Sequence, residues 1–242
     1  VLGGGTGAWS SSNNAVATVD NAGLVTAQGA GTCNIIYTVT GGCNGPVSAL
    51  QAITVNANSA ISSVTGTSPL CLGATASYIA NGVVLGGGTG TWSSSDILVA
   101  TVNPASGLVT AVGVGACNII YTITGGCNGP VSAQQSVSVY PTPDVNQPAN
   151  QGPLCNTALT AAVNFTTNTT GPGTVTYTWA NDNTSIGLAA SGSGDIASFA
   201  VNNPSHSTNL VATITVTPHY TFNSVTCDGP SKIFTITVRP AS

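Results

Sequence analysis

An all-β chain built from tandem immunoglobulin-like β-sandwiches is predicted by three observations. β-Branched residues alternate with small polar ones along most of the 242 residues, while Glu and Met are absent and only Lys232 and Arg239 are basic. Helix formers are therefore nearly missing. The text also repeats itself. Val1–Val55 matches Val84–Val139 at roughly three positions in four, with Ser106 as the single inserted residue, and such a period marks an array of similar units. Finally, short strand-like runs recur at intervals of roughly 8 to 12 residues between Gly, Pro and Asn turns, the spacing from which a sandwich is inferred.

Residues 1–56 form the first unit, which begins at a glycine run and lacks the counterpart of Ala57–Gly82, and with it two strands. The second unit, residues 57–140, contains that stretch: an edge strand near Ile61–Thr65, a Pro-containing turn and a strand over Ala74–Ala80. Further strands follow at Gly90–Ser94, Val99–Val102, Leu108–Ala111, Cys117–Thr124 and Ala133–Tyr140. Alternation places Cys117, Ile119, Tyr121 and Ile123 on the core face of one of them. The joints fall at Asn56–Ala60 and at Tyr140–Pro143, where two prolines stiffen the chain. The third unit, residues 141–242, has strands predicted at Ala158–Phe165, Thr174–Trp179, Ile196–Val201, Leu210–Thr217 and Lys232–Val238, with Val175, Tyr177 and Trp179 on one face. Trp9, Trp92 and Trp179 are expected in the cores.

The phrases Trp92-Ser-Ser, Val99-Ala-Thr-Val, Gly107-Leu-Val-Thr-Ala and the Gly-rich step into Cys117, with their counterparts from Trp9 onward, resemble the bacterial immunoglobulin-like group 2 domain. The stretch from Thr176 to Asn203 followed by Ala212–Pro218 resembles the PKD-like domains of large surface proteins of Bacteroidota. These resemblances imply β-sandwich spacers and adhesive modules in exported proteins, some of them gliding adhesins delivered by type IX secretion, and they bring no catalytic residues.

Seven cysteines in a chain of so few charges point to an oxidising, extracellular setting. Cys71 in Ser-Pro-Leu-Cys and Cys155 in Gly-Pro-Leu-Cys share a context, as do Cys127 and Cys227, each followed at two residues by Gly-Pro. Shared context pairs Cys71 with Cys127 and Cys155 with Cys227, each bond contributing about 3 to 4 kcal/mol in the chain-entropy account. The strand layout of a plain immunoglobulin sandwich would instead join Cys71 to Cys117. Cys33 and Cys117 then remain as small core residues. Cys43 is left unpaired within the chain.

Net charge −4 removes any case for a nucleic-acid groove or an anionic membrane surface. No apolar run reaches the ~20 residues of a membrane span. The spacing of Cys and His offers no zinc motif. Ser with Asp195 and His206 makes a triad only on paper, and Asp182 and Asp195 suit turns better than calcium. The runs Leu2–Gly7 and Leu85–Gly90 precede strands and no Lys, so they read as tight turns and not as phosphate loops. Asn164, Asn168 and Asn183 begin glycosylation sequons, which Thr-rich text produces often.

The expected function is that of a non-enzymatic structural or adhesive repeat segment of a cell-surface protein or extracellular filament, with no cofactor and no metal. Its partners are neighbouring modules of the same polypeptide, or identical subunits in a fibre, and a surface glycan or substratum ligand. Carbohydrate-binding modules of a secreted polysaccharide-degrading enzyme are the alternative, marked by exposed aromatics in a row. The strands missing from residues 1–56 are expected from upstream chain if the sequence is an excerpt, or from a neighbouring subunit by strand addition.

Overall fold

The computed structural model describes residues 4–43 and 45–241. Val1–Gly3, the start of the first glycine run, lies outside them. The chain's regular structure is almost entirely strand, as its β-branched alternation demands, and falls into three groups of strands with separate cores.

The first group holds β1 (Thr6–Ser11), β2 (Ala17–Val19), β3 (Val25–Ala27), β4 (Gly31–Thr40) and β5 (Val47–Val55). Its sheet runs β1-β4-β5 and faces the hairpin β2-β3. The second group repeats this plan with additions. β6 (Ser63–Thr65), β7 (Leu70–Cys71), β8 (Thr75–Ser77) and β9 (Ile79–Asn81) precede β10 (Thr89–Ser94), β11 (Ala100–Val102), β12 (Leu108–Ala111), β13 (Gly115–Thr124) and β14 (Val131–Tyr140). The sheets run β10-β13-β14-β7, β11-β12-β8 and β6-β9. The strand predicted over Ala74–Ala80 is thus two strands in different sheets. Tyr78 sits at the break, buried, its hydroxyl donating to the Thr67 carbonyl at 2.7 Å. Before β10 the second glycine run makes a turn, closed by Gly88 N–H donating to the Leu85 carbonyl at 2.8 Å.

The third group comprises β15 (Gln151–Leu154), β16 (Thr174–Asn181), β17 (Ser191–Ser193), β18 (Leu210–Phe222), β19 (Val225–Asp228) and β20 (Lys232–Val238). They form one sheet, β15-β20-β18-β16-β17, with β19 alongside β18. Opposite lie Ala158–Phe165 and Ile196–Val201. Both were expected as strands, yet they meet only at the bridges Leu159 to Ala200 and Val163 to Ile196. Side chains replace the ladder there. Thr160 Oγ1 accepts from Phe199 N–H at 3.1 Å, Asp195 Oδ1 from Phe165 N–H at 2.8 Å, and the Gln151 amide holds both backbone groups of Ala161. Two successive exposed residues, Ala161 and Ala162, also shift the alternation by one place between buried Thr160 and Val163.

Period-two alternation sets the cores. On β13, Cys117, Ile119 and Ile123 are buried with Tyr121 partly so, and on β16 Tyr177 and Trp179 are buried. The Tyr121 ring lies over Gly90 on β10, where a Cβ would collide with the hydroxyl. Trp92 is buried beneath Tyr78, with Gly107, at φ +71°, leaving room for the indole. Trp9 corrects the expectation of a core tryptophan, since it is 37% exposed where Trp92 is 7%. The reason is local. Val64, Leu70 and Tyr78, which complete the second core, come from residues 57–82, and residues 4–56 contain no such segment.

Candidate functional site

The trailing end of the second group meets the leading end of the third, and the two are bonded there. β7 runs parallel to β14, placing Cys71 opposite Tyr140, the last residue of β14. On the other side β19 pairs with β18 so that Cys227 lies opposite Tyr220. Cys71 and Cys227 form a disulfide with Cα atoms 5.6 Å apart. The Tyr140 ring packs edge-on to Phe222 and Tyr220, with centroids 5.4 and 6.4 Å away. Gly229 comes so close to the Pro143 carbonyl that no Cβ would fit. Aromatic, covalent and backbone contacts therefore converge on one joint.

This pairing corrects the expected bonds Cys71–Cys127 and Cys155–Cys227; Cys127 and Cys155 are both free and exposed. Distance along the strands forbids the expected bonds. Cys71 sits at the Tyr140 end of β14 and Cys127 in the turn before Val131, so ten residues of strand separate them, about 33 Å against the roughly 7 Å a disulfide tolerates between Cα atoms. In the third group Leu154 lies opposite Val238 and Val238 opposite Leu210, whereas Cys227 lies opposite Tyr220. Cys155 and Cys227 therefore occupy opposite ends of β18. Cys117 is also free, buried in the core as Cys33 is, so the Cys71–Cys117 alternative is not formed either. Cys43 is free and exposed.

Downstream of the joint, Asp144 fastens the linker to the third group. Its Oδ1 accepts from Thr167 Oγ1 at 2.6 Å, Thr169 Oγ1 at 2.8 Å and the N–H groups of Asn168 and Thr169 at 2.9 and 3.0 Å. Hydrogen bonds from the two threonine hydroxyls hold its carboxyl well below the usual carboxylate range. The other carboxylates are likewise structural. Asp20 and Asp96 close turns through backbone N–H groups, and Asp182 accepts from Thr213 N–H at 2.7 Å. Asp195, one member of the paper triad, is occupied by Phe165 N–H. His206 lies exposed in the loop before β18 and makes no hydrogen bond to Asp195.

A different chain of polar groups crosses the exposed face of the third sheet. Asp228 Oδ1 lies 2.7 Å from His219 Nδ1, and His219 Nε2 lies 2.8 Å from Thr178 Oγ1. The residue types are those of a hydrolytic triad, but Asp228 on β19 stands directly opposite His219 on β18, and Thr178 on β16 stands diagonally, two residues along from Thr176, the partner of His219. Thr178 lies where β16 is flanked on both sides, by β18 and by β17 over Thr178–Ala180, so the backbone around its hydroxyl is engaged in ladders. Thr221 with Thr226 on neighbouring strands, and Thr217 with Ser231 just before β20, make similar polar pairs. The arrangement is a cross-strand hydrogen-bond ladder. Among the described residues no group of three His, Cys, Asp or Glu side chains could hold a metal, and no helix is long and apolar enough to cross a membrane.

Sequence reasoning placed Tyr140 in a joint but did not foresee its packing against Phe222, and it missed Phe222 and Asp144 as joint residues. One signal was present: Tyr140 stands where the first repeat has Asn56, a change from polar to aromatic at the position that meets the third group.

The strands and cores define an all-β protein of tandem immunoglobulin-like sandwiches. The family described as the intimin immunoglobulin-like domain matches residues 2–42. No curated protein matches the chain by sequence. Among solved structures, mouse cadherin-23 EC22-24 is 13% identical with a TM-score of 0.36, covering 99% of this chain and 88% of that one. Extracellular domains 3-5 of Drosophila OTK are 13% identical with a TM-score of 0.38, covering 96% and 85%. For protocadherin gamma B2 extracellular cadherin domains 3-6 the identity is 13% and the TM-score 0.34, with 96% of this chain and 66% of that one covered.

Proposed function

We propose that the chain is a structural and adhesive repeat segment of an exported bacterial surface protein, made of modules over residues 1–56, 57–140 and 141–242. The observation that carries this reading is the joint at Tyr140, where a disulfide and aromatic contacts fix one sandwich end to end on the next. Such a bond persists in an oxidising compartment, which supports an extracellular location. In this reading the carboxylates serve turns and clamps, the module faces carry hydroxyls, and no cofactor takes part. The third module serves as a PKD-like spacer of the kind its sequence resembles, and the parent protein is a surface adhesin of the Bacteroidota type, with gliding adhesins as the nearest functional kind.

Small-angle scattering of the oxidised chain tests the reading, with an elongated particle expected. A compact particle with the modules folded back on one another would overturn it. Trp9, the exposed aromatic among the described residues, and Tyr37, ring centroids 4.8 Å apart, form the pair from which the carbohydrate-binding alternative could start. Glycan-array binding that is lost on Trp9→Ala would replace the structural reading with that one.

A further inference from the structure

We propose that Cys127 forms an inter-module disulfide with the cysteine of a Pro-Leu-Cys strand lying parallel to β5, reproducing at the first joint the bond that Cys71 and Cys227 make at the second. The occupant is a segment with the chemistry of residues 57–82. The proposal rests on the repeat geometry and not on the adhesive reading.

Cys127 and Cys227 hold equivalent places. Each stands in a Cys-x-Gly-Pro sequence after the penultimate long strand, Cys127 in a turn and Cys227 on β19, at the leading end of its group. Each also faces the last strand of the group before it. At the second joint that strand ends in Tyr140, with Cys71 beside it and bonded to Cys227. At the first joint Asn56 replaces Tyr140, and the Cys127 thiol lies 4.0 Å from the Asn56 carbonyl, with Ser59 N–H donating to the Cys127 carbonyl at 3.1 Å. A cysteine placed beside Asn56 as Cys71 is placed beside Tyr140 would therefore meet Cys127. Cys43 is excluded as the partner of that same cysteine. It lies in the turn before Val47, at the far end of β5, about 30 Å away.

Two features of the first group match the missing occupant. β14 carries β7 on its outer edge, whereas among the described residues no strand pairs with the outer edge of β5. The face that residues 57–82 cover in the second group is also uncovered in the first. Val25 is 39% exposed where its counterpart Val109 is fully buried, and Trp9 shows the same contrast with Trp92. An open edge beside an apolar face is the setting into which a strand adds. Cys155 ends a Pro-Leu-Cys strand at the trailing end of the third group, where Leu154 accepts from Arg239 N–H at 2.8 Å, so it presents the other half of the same joint.

Bond formation requires an oxidant, here a small-molecule disulfide. The two thiols give up two protons and an electron pair, one S–S bond forms, and the oxidant's S–S bond is reduced to two thiols.

The test uses the full chain with Cys155→Ser, to prevent bonding between copies, and a synthetic peptide of residues 57–82 in a glutathione redox buffer. Peptide mapping is expected to find the peptide joined to Cys127 at about ten-fold or more the occupancy at Cys43, because docking raises the local thiol concentration. Trp9 emission is expected to shift to the blue at the same time. Equal bonding at Cys43 and Cys127, bonding that a scrambled peptide matches, or no adduct would each overturn the proposal. A second measurement fuses residues 57–82 ahead of Val1 in one chain. Cys127 should then become inert to alkylation until reduced, and a Cys127 that alkylates freely in this oxidised chain would equally overturn it.

Discussion

Replacing Cys227 by Ser should destabilise two sandwiches, not one. The bond encloses 156 residues of sequence, but the two groups have separate cores, so the relevant loops are those closed when one unfolds while the other stays folded. With the third group intact, Cys71 remains tethered beside Tyr140, and unfolding of the second closes a loop of roughly 70 residues, worth about 4.4 kcal/mol in the chain-entropy account. With the second intact, unfolding of the third closes roughly 85 residues, from Tyr140 to Cys227, worth about 4.5 kcal/mol. At about 4 to 8 °C per kcal/mol for domains of this size, whichever group unfolds first should do so some 18 to 36 °C lower, less whatever strain the bond relieves, while the later transition loses only the small further cost of enlarging the loop to about 156 residues. Differential scanning calorimetry of the wild-type chain and Cys227→Ser, with Trp92 and Trp179 replaced in turn by Phe to assign fluorescence transitions, measures both. If native-state hydrogen exchange finds that opening of the second group, with the third still folded, is no easier in Cys227→Ser, the bond lies within the third group and the joint is wrongly described.

Three other outcomes follow from the packing. Tyr140→Ala removes two edge-on aromatic contacts, and in reduced protein the coupling between the second and third transitions should weaken by about 1 to 3 kcal/mol; unchanged coupling in a double-mutant cycle with Phe222→Ala would show that the rings do not hold the joint. Val109→Ala should cost about 2 kcal/mol by denaturant titration, while Val25→Ala, its half-exposed counterpart, should cost under about 0.5 kcal/mol, and equal costs would mean that the first group's face is covered in solution. Asp144 titrates in the folded chain below its unfolded value, so its stabilising contribution is complete above about pH 4 and fades as pH falls further, toward the folded pKa. Asp144→Asn should therefore lower the melting temperature of the third group at neutral pH and flatten its decline below about pH 4, and an unchanged acid limb would remove Asp144 from that role.

What could be read from the sequence was what depends on neighbours two residues apart. The inward face of Cys117–Ile123 and that of Val175–Trp179 follow from alternation, because a sheet with one face buried admits one register. What could not be read depends on which end of a strand a residue reaches. The two Pro-Leu-Cys cysteines share one context and the Cys-x-Gly-Pro cysteines another, yet likeness of context says nothing of whether partners belong to one unit or to adjacent ones. β7 is two residues long, too short to leave a pattern, and it is the element that carries Cys71 to the joint. Trp9 was misplaced for a related reason. Its burial depends on residues of the 57–82 type, not on anything in its own strand.

The Cys71–Cys227 bond also decides which parts of the chain feel a pull. Tension applied to Ala57 on one side and Ala241 on the other has a covalent path from Cys71 directly to Cys227, and the chain between them, a sequence separation of 156, lies off that path. At about 3.4 Å per extended residue, roughly 500 Å of chain is withheld from stretching for as long as the bond survives. The strands that build most of both sandwiches are thus relieved of load, and only short leaders before Cys71 and after Cys227 can be drawn out. A chain so short-circuited behaves as an inextensible cable under oxidising conditions and as a long elastic tether once reduced.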